Sequence, residues 1–183
     1  MIAYAISDPS TLHFDQRLSK DLERFSKTSD WLLYRDKTNV SYREYARILT
    51  EALYAFSNLK LLIHDDVDLA LELGVYGVHF SSHGIGSLKR AVGRDLFTVA
   101  STHSLEEALF LEAEGVSAVT LSPIFSSPGK GNPLGISYLA QAVKHLKIPL
   151  IALGGVVTEK EIALVQEIGT AGFASIRYFG TEE

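Results

Sequence analysis

Short apolar runs alternate along the chain with longer stretches whose apolar positions recur every three or four residues. The runs are Ile2–Ile6, Trp31–Arg35, Lys60–His64, Tyr76–Phe80, Leu96–Ala100, Ala118–Leu121, Pro149–Leu153 and Gly172–Ile176. Near-continuous apolar runs of this length, bounded by Gly, Pro, Asn, Asp or Ser, read as strands buried on both faces. They recur at roughly 24-residue intervals, a spacing that suits repeated strand–helix units.

The intervening stretches carry helix signals. Ser41 and Glu44 match a capping box, and Tyr45, Ile48, Leu49, Ala52, Leu53 and Phe56 follow at i, i+3, i+4 spacing. Ser104 with Glu107 and Thr158 with Glu161 repeat the box, with Gly115 and Gly169 as stops. Leu18, Leu22 and Phe25 mark the first helix. Asp65 or Asp66 would cap a short one ending at Gly74, and Ser87–Val92 supports a turn or two. Eight strands alternating with helices predict a compact (β/α)8 TIM barrel, with a doubly wound open sheet as the alternative. The usual barrel needs about 250 residues, so the loops must be tight. The pattern stops soon after the eighth strand at "RYFGTEE", which predicts a reduced or missing eighth helix. No linker or composition break divides residues 1–183, so a single domain is expected.

Charge and composition narrow the function classes. Seventeen Lys and Arg against 22 Asp and Glu leave a net charge of −5, and no basic run exceeds Lys89-Arg90. That argues against a general nucleic-acid binder. The chain has no cysteine, which excludes disulfides, thiolate metal sites and a cysteine nucleophile. No apolar stretch approaches the ~18 residues that span a membrane, and "MIAYAISDPS" lacks a basic signal-peptide region. A cytoplasmic enzyme with no membrane or nucleic-acid partner is the expectation.

Polar residues gather where the predicted strands end, the face on which a barrel builds its active site. Arg35 and Lys37 follow the second strand, at one parity if the strand continues. His64-Asp65-Asp66 follow the third. His79 precedes Ser81-Ser82-His83, Ser101 precedes His103, and Ser175 precedes Arg177. Five of the six histidines, His13, His64, His79, His83 and His103, fall at such ends or in the loops after them, and only His145 sits mid-helix. His79 and His83 stand four apart on a strand-to-loop segment, which is not a zinc pattern. A fork-shaped guanidinium and a point-charge ammonium suit phosphate oxygens. Gly154-Gly155 leads into a helix capped by Thr158, and glycines at a helix start let backbone N–H groups approach an anion. The long stretch "SPIFSSPGKGNPLG", Ser122 to Gly135, carries Lys130 and reads as a lid over a phosphorylated ligand.

Several blocks together resemble the thiamine phosphate synthase and TenI superfamily. They are "YAISDP" at residues 4–9, "LLYRDK" at 32–37, "LLIHDDVDLALELGVYGVHF" at 61–80, "VASTHSLEEALFLEAEGVSAVTLSPIF" at 99–125 and "IPLIALGGV" at 148–156. The resemblance implies a (β/α)8 barrel and a phosphorylated thiazole as ligand. The synthase branch joins an aminopyrimidine diphosphate to a thiazole phosphate with magnesium. At least some TenI-type members instead shift protons on a thiazole carboxylate phosphate.

Position by position, the losses are one-sided. Arg35 and Lys37 match the synthase Gln-x-Arg-x-Lys, whose Gln is Leu33 here. Its Asn-Asp is His64-Asp65, so Asp65 is the remaining candidate magnesium ligand. The second metal carboxylate, from Gly-Gln-x-Asp, is lost in Ser81-Ser82-His83-Gly84. Ser101 matches. The loop Thr-x-Thr-Lys keeps a hydroxyl at Ser127 and Lys130. Gly154, Gly155 and Ser175 match the thiazole-phosphate site, while the TenI-type histidine after strand six is Pro123 here. The resemblance thus implies Arg35, Lys37, His79, Ser127, Gly154, Gly155 and Ser175 as binding residues. Ser101 and Lys130 are catalytic candidates by the same match, whereas the base is not carried over from the family: His64, His83 and His103 are candidates because histidine suits proton transfer near neutral pH, with His64 first because it replaces a pocket residue. Mg²⁺ enters only if a diphosphate is used. A TenI-type tautomerase is the leading expectation, with a synthase or a non-catalytic ligand-binding paralogue as alternatives. A homo-oligomer is expected, because a bare eighth-helix position would expose apolar barrel surface.

Overall fold

The structure, a computed structural model, describes residues 1–180. Eight parallel strands close into a barrel in sequence order: β1 (Ile2–Ile6), β2 (Trp31–Tyr34), β3 (Lys60–His64), β4 (Gly77–Phe80), β5 (Phe97–Thr102), β6 (Ala118–Leu121), β7 (Leu150–Leu153) and β8 (Gly172–Ser175). Ala5 pairs with Ser175 and with Leu32, which closes the ring through β1. Among the described residues seven α-helices surround it: α1 (Leu18–Thr28), α2 (Tyr42–Ala52), α3 (Val67–Leu73), α4 (Leu88–Ala91), α5 (Leu105–Ala113), α6 (Ile136–His145) and α7 (Glu159–Ile168).

The strands are apolar on both faces because each face meets a different core. Tyr4, Ile6, Trp31, Leu33, Leu62, Val99, Ala118, Ile151 and Ala174 point inward and fill the barrel. Intervening residues such as Ala5, Leu32, Ile63 and Ala100 point outward under the helices. The bottom of the barrel is plugged by aromatic rings. Trp31 lies edge-on to Tyr4 and to Phe97, and Tyr76 stacks on Phe97 at 5.1 Å. The barrel interior is thereby closed from this end and opens only where the strands finish.

The helix starts differ in how they are made. Thr158 and Glu161 form a complete capping box, the Thr158 N–H donating to Glu161 Oε2 at 2.8 Å. Ser104 accepts from the Glu107 N–H, but Glu107 turns its carboxylate to the His103 N–H instead of closing the box. Ser41 makes no capping bond, a correction to the pattern above. Its backbone, at φ −99° and ψ 26°, lies outside the extended region from which an N-cap hydroxyl reaches the helix. The second strand also ends earlier than its apolar run suggested. The Arg35 N–H leaves the ladder for Ser7 Oγ at 3.2 Å, so Arg35 and Lys37 stand on a loop.

After β8 the described chain makes one 3-10 turn, Arg177–Phe179, where a longer barrel would place an eighth helix. Phe179 is buried and stacks on Phe173. Arg24 of α1 pins this turn: its guanidinium donates to the carbonyls of Phe179 and Thr11 and lies 3.3 Å from Asp21, which also accepts from the His13 N–H. Arg24→Ala is expected to cost ~1–3 kcal/mol, because two carbonyls lose a charged donor and buried Asp21 loses a counter-ion. At about 2–4 °C per kcal/mol that is a melting shift of roughly 2–12 °C. Arg17→Ala, which breaks an exposed pair with Asp15, is the control and should leave the melting temperature nearly unchanged. Differential scanning calorimetry separates the two.

Candidate functional site

The strand ends open into a cavity of about 540 Å³. Around its wall stand Arg35, Lys37, His64, His79, Ser101, His103, Ser127, Lys130, Gly154, Gly155 and Ser175, brought together from strands and loops all round the barrel. His83, the further candidate base, lines it too, and the structure adds Asp8, Ser122, Ile176 and Arg177. Arg177 was legible as a cation just beyond the eighth strand, and only the short turn that follows β8 directs it to the cavity mouth. His13 is not part of the site; its Nδ1 lies 2.8 Å from Asp21 on α1. His145 bonds the Gln141 carbonyl on the outside of α6.

Asp65 is absent from the lining, contrary to its proposed role as metal ligand. It occupies a left-handed conformation at φ +56°, and this turns the carboxylate onto the loop after β4. There Oδ1 accepts from the Ser81 N–H at 2.7 Å and Oδ2 from the Ser81 hydroxyl at 2.6 Å. A Cβ on Gly84 would meet Oδ1 at 1.8 Å, so the loop is packed directly on the carboxylate. Asp66, not Asp65, caps α3, accepting from the Leu69 N–H. Each Asp65 oxygen accepts a hydrogen bond from Ser81, and the position that would supply the second carboxylate is Gly84. Magnesium favours near-octahedral oxygen coordination through one or two carboxylates. Among the described residues this set does not fit a magnesium ion held by the chain.

Three imidazoles offer proton chemistry in different states. His64 lies 3.4 Å from Asp65 Oδ2 and is largely buried. Desolvation holds its pKa below the ordinary value, and Arg35 and Lys37 push the same way against Asp65. His79 is fully enclosed, and burial lowers it to about 3, with His64 and Arg35 adding to the shift. His103 is exposed to the cavity, with Nδ1 2.9 Å from the Ser122 carbonyl oxygen. A carbonyl only accepts, so Nδ1 carries a proton and Nε2 is the ring atom left to exchange one with a ligand.

The glycine pair has a packing reason. Gly154 and Gly155 take φ of +89° and +73°. A Cβ at Gly154 would meet Pro123 Cα at 2.7 Å, and one at Gly155 would meet Phe125 Cβ and the Ser126 oxygen at 2.6 Å. The β6 loop is laid across the pair, its Ile124 and Phe125 N–H groups donating to the carbonyls of Leu153 and Gly154. Its far end returns through Leu134 and Gly135, whose N–H groups donate to Pro123 and Ile124. The base of the loop is therefore tied down, and the exposed tip around Pro128–Asn132 carries Lys130 out over the cavity. Beside the pair, Ser175 Oγ accepts from the Tyr178 N–H at 3.2 Å, which leaves the Ser175 proton free to donate.

Charge is distributed unevenly. The cavity lining carries four cations, Arg35, Lys37, Lys130 and Arg177, against one carboxylate, Asp8, in a chain whose net charge is −5.

The family described as thiamine monophosphate synthase matches residues 3–179. The chain is 31% identical over 181 residues to a relative in Aquifex aeolicus, with 96% of each chain covered. It is 34% identical over 160 residues to the thiamine-phosphate synthase of Saccharophagus degradans, covering 84% of this chain and 74% of that one. Among solved structures, a thiamine phosphate pyrophosphorylase from Pyrococcus furiosus superposes with a TM-score of 0.81 at 23% identity, covering 99% of this chain and 88% of that one, a likeness of fold. Spanning the whole closed barrel and its cavity, these matches show that the chain belongs to the thiamine monophosphate synthase/TenI family, a family of thiamine biosynthesis.

Proposed function

We propose that the cavity binds a thiazole phosphate and moves a proton on its ring, a tautomerase-type reaction, with His103 as the acid–base group. The observation that carries the anionic ligand is the four-to-one excess of cations over carboxylates around the cavity. The phosphate would sit against Gly154-Gly155 and the free Ser175 hydroxyl, which all line the cavity. His103 Nε2 takes a proton from one ring position and returns one at another, so composition is unchanged. His103 replaces His64 in this role because its tautomer is pinned and its ring faces the cavity, whereas burial makes His64 a poorer base. The committed Asp65 carboxylate favours this reading over a magnesium-dependent diphosphate reaction.

A second reading, thiamine phosphate synthesis, is favoured by the names of relatives at about 30% identity and by the retained Arg35, Lys37 and Lys130. One pair of assays separates the two. The purified chain is given an unaromatised thiazole carboxylate phosphate and followed by ultraviolet absorbance, with and without EDTA. In parallel it is given pyrimidine diphosphate, thiazole phosphate and Mg²⁺. EDTA-insensitive aromatisation supports the first reading, and thiamine phosphate formation replaces it with the second.

Lys130→Ala is expected to weaken thiazole phosphate about tenfold, the worth of one charged hydrogen bond. On an exposed tip it should change stability by less than about 0.5 kcal/mol. Calorimetric titration beside a thermal melt checks both, and a larger thermal than affinity loss would make the loop a structural element.

A further inference from the structure

A hydrogen-bonded chain crosses the barrel interior and ends in the cavity. It begins at Tyr4 on β1, which is fully buried and sits below the cavity lining. The Tyr4 phenol oxygen is 2.9 Å from His79 Nδ1 on β4. On the other side of that ring, Nε2 is 2.8 Å from Ser101 Oγ on β5. His79 and Ser101 both line the cavity.

Only one order of protons satisfies every member. A neutral imidazole has one N–H and one lone pair. If the Tyr4 O–H donates to Nδ1, the His79 proton must be on Nε2, where it donates to Ser101 Oγ. The Ser101 proton then has no partner in the chain and is free to enter the cavity. In the reverse order Nδ1–H donates to the phenol oxygen. The Tyr4 proton would then find no acceptor among the described residues, and a buried unsatisfied donor is costly. Burial keeps His79 neutral and holds Tyr4 protonated, well above its ordinary range.

We propose that Tyr4 is a positioning residue which, through His79, makes the Ser101 hydroxyl an obligate hydrogen-bond donor toward the ligand. The ligand group that takes the Ser101 proton is then an acceptor, such as a ring nitrogen or a carboxylate oxygen. The identity of that ligand rests on the thiazole phosphate reading above; the proton order in the chain does not.

The proton order is read on the full chain at pH 7 by long-range ¹H–¹⁵N NMR of the imidazoles, with His79 assigned from a His79→Gln variant. The expected ring is neutral and Nε2–H. Ser101→Ala should leave it so, and Tyr4→Phe should keep Nε2–H but move the Nδ1 resonance to that of a lone pair without a donor. A wild-type Nδ1–H ring, an unmoved Nδ1 resonance in Tyr4→Phe, or a switched ring in Ser101→Ala each overturns the proposal. Should Tyr4→Phe not fold, the wild-type and Ser101→Ala spectra decide. Binding adds a coupling test with thiazole phosphate as the probe. Ser101→Ala should weaken it about tenfold, Tyr4→Phe by less, and the double variant by no more than Ser101→Ala alone. Losses that multiply would overturn the relay. Absence of thiazole phosphate binding in the wild type would overturn the functional reading, with the spectra still judging the proton order.

Discussion

His103→Asn is expected to slow proton transfer on the thiazole ring by about 10² to 10⁴-fold, the usual contribution of a positioned general acid–base group. The substitution is chosen for what it keeps. The Asn amide N–H stands close to where Nδ1–H was, so the Ser122 carbonyl retains a donor. What disappears is Nε2, the atom which that same bond leaves to exchange a proton. Substrate affinity should therefore change by less than a few-fold and the melting temperature should barely move. Single-turnover rates beside a binding titration make the separation. A His103→Asn enzyme with wild-type rate would return the role to His64 or His83, which also face the cavity.

The second large effect is on structure. Gly155→Ala places a methyl group 2.6 Å from both Phe125 Cβ and the Ser126 oxygen, at a backbone φ of +73°. The left-handed conformation costs a non-glycine residue ~1–2 kcal/mol. Overpacking adds ~1–3 kcal/mol, because the β6 loop is tied by backbone bonds and cannot simply retreat. Together these lower the melting temperature by roughly 4–20 °C for a chain of this size. Gly169→Ala supplies the contrast. Its φ is +88° but its Cβ would meet nothing within 4 Å, so only the conformational part should be lost. A Gly155→Ala protein as stable as Gly169→Ala would mean that the loop yields. Thiazole phosphate affinity should fall in Gly155→Ala alone, since Gly169 ends α7 away from the cavity.

The barrel was legible because its physical cause is local and repeated. A strand that is covered on both faces must be apolar throughout, as in Trp31–Tyr34, and a helix lying on it must show one apolar stripe, as in Ala46 and Leu49. Boundaries were less so. Tyr34 and Arg35 differ little as local signals, and the strand ends between them because Ser7, from another strand end, takes the Arg35 N–H. The cap at Ser41 failed for a similar reason, the chain arriving there with the wrong backbone angles.

At the site, residue types pointed to an anion, but types do not show orientation. Asp65 and His64 are adjacent in the chain, yet one carboxylate is turned into the β4 loop while the imidazole faces the cavity, a division made by φ +56° at Asp65 and the hydroxyl of Ser81. Gly154-Gly155 suggested an anion site, and the pair also has to clear Pro123 and Phe125 of a neighbouring loop.

What the sequence determined by itself is the alternation of strand and helix, the crowding of cations and histidines at the strand ends, and the family. What only the tertiary structure decided is which atoms of those residues are free. Tyr4, His79 and Ser101 are separated along the chain by 75 and 22 residues. Closure of the barrel brings them within 3 Å of one another in turn, and a proton's position is set by such contacts, which no local pattern records.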